Sequence, residues 1–217
     1  TLFPYTTLFR SGMLWNLSDD VFTFKVSQEE KPYTRRGMLS TVNSIFDPMG
    51  FIAPVSVHGK LLLRSAMIGK SSWDEPLAQG LEQEWDQWKS SLQELHGLRI
   101  PRMFVPTSFE LSVTKELLVY CDASEQAIAA VSYLRVTDDT GTSHTGFVHG
   151  KAKVAPTHGH DHTIPRLELC GAVLAVNIAE SVTSHLELPF DSVQYFTDSK
   201  IVLGYIRNSD RKSTRLN

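Results

Sequence analysis

Two cysteines in 217 residues are too few for a disulfide framework. Both, Cys121 and Cys170, stand in apolar surroundings and are expected to be buried thiols of a reducing, intracellular compartment. No apolar run approaches the ~20 residues that a membrane helix needs, so no membrane partner is expected. Basic residues are not in excess: 21 Lys and Arg stand against 24 Asp and Glu, a net charge of −3. That balance argues against bulk, sequence-blind attraction to nucleic acid. There is no glycine-rich phosphate loop, and no Ser or Cys nucleophile stands in a recognisable pattern with a base. What remains is a globular chain of ordinary hydrophobic content, 41%, of a size for one or two domains.

The two ends stand apart. Residues 1–11 (Thr-Leu-Phe-Pro-Tyr-Thr-Thr-Leu-Phe-Arg-Ser) and 210–217 (Asp-Arg-Lys-Ser-Thr-Arg-Leu-Asn) resemble translated sequencing-adaptor sequence and are expected to lie outside the fold. They hold four basic residues (Arg10, Arg211, Lys212, Arg215) against one acid (Asp210), so setting them aside moves the net charge from −3 to −6. The globular segment is then expected to be 12–209, cut from a longer reading frame on both sides. With such a start, the absence of a signal peptide carries no information.

Two blocks follow. In 12–106, Met13-Leu14-Trp15 and Val21 to Val26 predict a short hairpin turning near Asp19-Asp20. Thr34 is placed to cap a helix carrying Met38, Leu39, Val42 and Ile45-Phe46. Asp47-Pro48-Met49-Gly50 stops it, and Pro54 suits the first turn of the next helix. A third helix is predicted from about Leu77 to Leu95, with Leu81, Trp85, Trp88, Leu92 and Leu95 on one core-facing stripe. Charge is lopsided here: residues 31–70 carry six basic residues against Asp47, and residues 71–96 carry six acids against Lys89. The basic pair of helices either contacts phosphates or pairs with the acidic stretch.

The second block, 107–209, predicts a buried strand at Leu117 to Cys121, a second strand at Ala127 to Val136, and a turn at Asp138-Asp139-Thr140-Gly141. A third strand follows at Thr145 to Val154, then a helix opening at Thr163-Ile164-Pro165 and a fourth strand at Val193 to Phe196. A last helix is capped by Asp198 or Ser199. The order β-β-β-α-β-α describes an antiparallel meander followed by a crossover to a parallel strand. The fold class is therefore α/β with a mixed sheet, preceded by a mainly helical subdomain.

Three carboxylates draw attention. Asp122 ends the apolar run Val119-Tyr120-Cys121, Glu168 lies in the helix within Ile164-Pro165-Arg166-Leu167-Glu168-Leu169, and Asp198 follows Tyr195-Phe196-Thr197. A charge beside apolar segments is costly without a partner. The topology lets the two strand ends lie side by side with the helix across them, so one shared partner, a divalent cation, is the economical reading. Oxygen-only ligands suit Mg2+ or Mn2+, and two such ions about 4 Å apart can hold a phosphate and activate water. Acids at strand ends alone are weak evidence, since any α/β domain has them.

The local contexts add more. Tyr120-Cys121-Asp122-Ala123-Ser124 and Thr197-Asp198-Ser199 resemble the first and third acidic motifs of retroelement ribonuclease H domains. The longer strings Arg36 to Val42, Ile45 to Val55 and Ile164 to Cys170 resemble the Pol polyprotein of Pao/BEL-type long-terminal-repeat retrotransposons. The resemblance covers nearly all of 12–209. It implies a reverse transcriptase thumb or connection region followed by a C-terminally truncated ribonuclease H-like domain. Asp122, Glu168 and Asp198 would be its catalytic and metal-binding acids, with two Mg2+ or Mn2+ ions. The implied activity is cleavage of the RNA strand of RNA–DNA hybrids during reverse transcription. The implied partners are hybrid or primer–template nucleic acid and the remainder of Pol, in a cytoplasmic particle or the nucleus. Arg35, Arg36, Lys60, Arg64, Ser124 and Lys200 are the candidate contacts to that nucleic acid. Two departures stand out: the polymerase's Tyr-x-Asp-Asp motif is absent, and a later acid, expected beyond Ser209, is absent too. The chain alone is accordingly expected to be a weak or inactive nuclease.

Other readings remain. A non-catalytic nucleic-acid-binding remnant would keep the fold without the reaction. Asp139-Thr140-Gly141-Thr142 mimics the Asp-Thr-Gly of aspartic peptidases, but Thr137-Asp138 precede it where that site needs an apolar strand, and a hairpin turn explains it better. His158-Gly159-His160-Asp161-His162 has zinc-ligand residue types, with a solvated loop the favoured reading.

Overall fold

A computed structural model describes residues 12–27, 29–68, 72–77, 80–105, 112–156 and 163–207. The two adaptor-like ends and the histidine run at 158–162 lie outside the described residues. The chain divides into two compact units, Thr1–Met103 and Phe104–Asn217.

In the first unit, strands β1 (Gly12–Asn16) and β2 (Val21–Lys25) form the hairpin, with Asp20 in a left-handed conformation at its turn (φ 52°). A short third strand, β3 (Ile100–Pro101), pairs with β2; two residues carry too little pattern to announce it. Helix α1 (Arg35–Asn43) starts where the Thr34 hydroxyl accepts from the Gly37 amide at 3.1 Å, which satisfies an otherwise orphaned donor. Asp47 does more than end a helix. Its carboxylate accepts from the amides of Gly50, Phe51 and Ile52, which builds the turn into α2 (Ala53–Ala66).

The predicted third helix is shorter than expected. Helix α3 spans Glu82–Ser91, and a 3-10 turn, Leu92–Gly97, continues it. Leu77 is excluded because its amide donates to the Tyr33 carbonyl, beside a bridge between Thr34 and Pro76. The stripe does face the core: Trp85, Trp88, Leu92 and Leu95 are buried with Met38, Ile52 and Leu62, and the Trp88 indole donates to the Val55 carbonyl at 2.9 Å.

The second unit is one mixed sheet of order β6-β5-β4-β7. Strands β4 (Ser112–Ala123), β5 (Ala127–Asp138) and β6 (Ser143–Val154) form the antiparallel meander. Strand β7 (Ser192–Phe196) runs parallel to β4, from Glu116 opposite Ser192 to Tyr120 opposite Phe196. A parallel neighbour needs a crossover, and α4 (Ile164–His185) supplies it, with Pro165 in its first turn. Leu174, Ala175, Ile178, Ala179 and Val182 of α4 close the core over Leu117, Val119, Leu134, Val136 and Val148. Each large apolar side chain buried there contributes roughly 1.5–3 kcal/mol. Helix α4 is long and apolar enough to cross a membrane by length and composition alone; its packing on the sheet is that of a core helix. Helix α5 (Lys200–Arg207) follows β7 and is capped by Ser199, whose hydroxyl accepts from the Val202 amide at 3.3 Å.

The Asp-Thr-Gly motif is a hairpin turn between β5 and β6. Asp138 accepts from the amides of Thr140 and Thr142, both at 2.9 Å, and Gly141 takes φ +83°. Asp139 stands exposed at that turn.

Gly171 sets how closely α4 approaches β4. A Cβ built there would sit 3.2 Å from the Asp122 carbonyl oxygen. Gly171→Leu is expected to push the helix off the strand end. Overpacking of this kind costs about 1–3 kcal/mol, so thermal unfolding should show a midpoint several degrees lower.

Candidate metal centre

The register of the parallel pair sets up the site. The last paired residues are Tyr120 and Phe196, and Asp122 and Asp198 each lie two positions further on. The two acids therefore leave neighbouring strand ends at equal depth. Glu168 comes from the second turn of α4, three residues before the close approach at Gly171. One carboxylate oxygen from each of Asp122, Glu168 and Asp198 lies within 4.8 Å of the others. Asp122 and Asp198 are exposed, and Glu168 is half-buried. Asp122 also accepts from the Ala123 amide at 2.7 Å, which fixes one of its oxygens.

Burial pushes the Glu168 carboxyl above its ordinary range, and the charges of Asp122 and Asp198 push it further. Three like charges at this distance are mutually unfavourable in the absence of a cation. A hard divalent ion relieves both penalties, and the donors are all oxygen, as such an ion prefers. The residues present thus fit a divalent cation.

One side chain beside the acids was given no role at the site by the sequence. Cys121 points its Sγ at the Phe196 carbonyl oxygen, 3.7 Å away. Burial, then the nearby acids, hold its thiol above the usual range, while a hydrogen bond with Thr197 opposes the shift. Alternation along β4 puts Cys121 on the same face as Leu117 and Val119, the face that α4 covers. The expectation of two buried thiols needs correction: Cys121 is half-buried and Cys170 exposed, because Cys170 lies on the outer face of α4, away from the Leu167, Gly171 and Leu174 side.

The proposed nucleic-acid contacts fare unequally. Arg35 is only 8% exposed, and its guanidinium donates to the carbonyls of Ala66 (3.0 Å) and Met67 (3.4 Å). It closes the C-terminal end of α2 and is not presented to a ligand. Arg36 is exposed but pairs with Asp74 at 2.6 Å. Lys60 is exposed and Arg64 half-buried. Beside the acids, the Ser124 hydroxyl is engaged in its own turn, donating to the Ala127 carbonyl at 3.2 Å. Lys200 is exposed at the first position of α5. Ser124 and Lys200 each lie two residues along the chain from an acid, and Arg35, Arg36, Lys60 and Arg64 lie in the other unit.

A family model described as the Pao retrotransposon-like RNaseH-like domain matches residues 34–199, a span that includes all three acids. The chain belongs to this family. For the Pao chain, the expected ribonuclease H-like α/β fold with its mixed sheet stands. No curated protein matches it. Among solved structures, it is similar to a foamy viral protease-reverse transcriptase dRH in complex with ds DNA, at 13% identity and a TM-score of 0.46, covering 93% of this chain and 34% of that one. A second foamy viral protease-reverse transcriptase, in complex with dsDNA, matches at 12% identity and a TM-score of 0.43, covering 89% of this chain and 38% of that one. The Pao chain spans little more than a third of the length of these structures.

The raised Glu168 pKa has a sign that can be tested. A carboxyl whose folded pKa exceeds its unfolded value binds more protons in the folded state, so stability falls as pH rises from the unfolded to the folded value. Above that window the ionised group opposes folding. Glu168→Gln is therefore expected to raise the melting temperature of metal-free protein at neutral pH and to lose any further rise on adding Mg2+ or Mn2+. Equal melting temperatures for both proteins in chelator would show that Glu168 carries no such penalty.

Proposed function

We propose that this Pao chain is part of a retrotransposon Pol polyprotein whose ribonuclease H-like unit cleaves the RNA strand of RNA–DNA hybrids. The observation that carries this reading is the convergence of Asp122, Glu168 and Asp198 from two strand ends and one helix. Those three residues would hold Mg2+ or Mn2+. When bound, a pair of such ions supplies charge neutralisation at a phosphate and a water of lowered pKa.

The chain's own residues do the rest. Asp122 and Asp198 are exposed at the sheet end, which leaves them open to a phosphate in this reading. Glu168, held by α4 over the core, is the least solvated of the three and gains most from a cation in staying ionised. Hybrid would be told from DNA duplex by its 2′-hydroxyls and shape, with little reading of bases. The first unit serves in this reading as a thumb or connection region, using Lys60 and Arg64 on α2 toward primer–template nucleic acid and the remainder of Pol as its covalent partner.

The test is cleavage of an end-labelled RNA–DNA hybrid, with Mg2+, with Mn2+ and with chelator. It is run on the chain and on a form lengthened along its natural reading frame. Metal-dependent scission of the RNA strand is expected from the lengthened form at least, with Asp122→Asn lowering the rate by a factor of about 100 or more, the scale on which losing one charged catalytic group acts. Asp122→Asn cleaving like the parent would remove the reading. Hybrid binding without cleavage in either form would favour the nucleic-acid-binding remnant instead.

A further inference from the structure

The three acids are not held alike. Asp122 lies inside β4, where it is still paired with Ala129 of β5, and Glu168 lies inside α4. Asp198 is the one of the three outside any strand or helix, in the segment 197–199 between β7 and α5. The parallel ladder has ended two residues earlier, at Phe196 opposite Tyr120. A carboxylate on such a link keeps its place when its backbone is tied on both sides, and a metal site whose supports are loose loses its geometry.

The ties are side chains. Downstream, Ser199 is fastened to α5: its hydroxyl accepts from the Val202 amide at 3.3 Å, and its carbonyl accepts from the Leu203 amide at 3.1 Å. Upstream, the Thr197 hydroxyl accepts from the Ser199 amide at 3.2 Å, which closes a small loop around Asp198. That loop is joined to β4 at Cys121. The thiol donates to the Phe196 carbonyl at 3.7 Å and shares a hydrogen bond with the Thr197 side chain. Cys121 thus reaches from the residue before one acid to the two residues before another. An S–H donor is weak, but here it is half-buried against the core and acts at the last rung of the ladder.

We propose that the Cys121 thiol and the Thr197 hydroxyl form a clip that sets the position of Asp198 at the metal centre. The inference rests on the divalent-cation reading of the three acids and is independent of hybrid cleavage. Cys121 and Thr197 are positioning residues: they act through Asp198, and the donors to the ion remain the three carboxylates. A thiol that merely fills space beside Leu117 and Val119 would be replaceable by valine. A thiol that clips one strand end to the other would not, because valine offers no donor.

The experiment is a Mn2+ titration of the full chain and its variants, with the free ion followed by electron paramagnetic resonance and with melting temperatures in chelator as the check on folding. Thr197→Val, close to threonine in shape but without the hydroxyl, is expected to weaken Mn2+ binding on the order of ten-fold, the lower end of what losing a supporting hydrogen bond costs a metal site. Thr197→Ser keeps the hydroxyl and should bind as the parent does. Cys121→Val should weaken binding to a similar extent. The double variant should bind no more weakly than the weaker single one, because residues in one hydrogen-bond network are coupled. Parental affinity in Thr197→Val or in Cys121→Val would overturn the inference. So would Thr197→Ser binding as poorly as Thr197→Val, or losses that multiply in the double variant. If Cys121→Val does not fold, the Thr197 pair decides. Each of these outcomes leaves the metal centre itself standing, whereas a parent chain that binds no Mn2+ would remove both.

Discussion

Parallel pairing between β4 and β7 is the constraint on which the acidic site depends. The pairing ends at Tyr120 and Phe196, and the two acids follow at the same remove on each strand. A shift of one residue in that register would turn one carboxylate to the other side of the sheet. The register is held from both faces. On one, Val119 and Leu117 are packed under α4. On the other, Tyr120 stacks on Phe196 with ring centroids 4.6 Å apart, and Glu116 accepts from Gln194 at 2.8 Å while pairing with Arg135 at 2.7 Å. That ion pair lies between paired strands and is only partly exposed, so it ties β5, β4 and β7 together more firmly than a surface pair would.

The crossover helix then converts a pair of acids into a trio. Its position over the strand end is permitted by Gly171, and its anchoring comes from apolar residues about one to three turns further on. The penalty of bringing the third acid in falls on Glu168. The apolar core and the acidic cluster therefore oppose one another: burial of α4 draws Glu168 inward, and charge repulsion resists it until a cation is present. In the proposed reading, stability and metal affinity would be linked through the same side chain.

The first unit illustrates a different economy, in which polar side chains serve the fold. Asp47 holds three amides at the start of α2, and Arg35 holds two carbonyls at its end. Asp47 thus shapes the turn that leads into the helix, while Arg35 satisfies carbonyls at its C-terminal end. Arg35 and Arg36 are adjacent in sequence yet differ in use, one buried against carbonyls and one paired with Asp74 at the surface. Both employments consume charge that composition alone would assign to phosphate.

The order of elements apart from β3, the hairpin turn at Asp138 to Gly141, the caps at Thr34 and Ser199 and the three acidic contexts were legible in the sequence, because each is written in neighbouring residues. Periodicity, turn chemistry and capping are local, and the chain carries them wherever it goes. Other features depended on partners far along the chain. Leu77 left its helix because the carbonyl of Tyr33 claimed its amide; Arg35 became a structural residue because the end of α2 lies beside it; Cys170 turned outward because α4 presents only one face to the sheet. A groove lined by Arg166 of α4 and Tyr205 of α5 joins residues 39 positions apart and exists only once the two helices meet. By itself the sequence determined which residues are acids at strand ends and on a helix. Tertiary structure alone decided that their oxygens lie within 4.8 Å of one another, because distance between segments is set by register and packing, which no local pattern encodes.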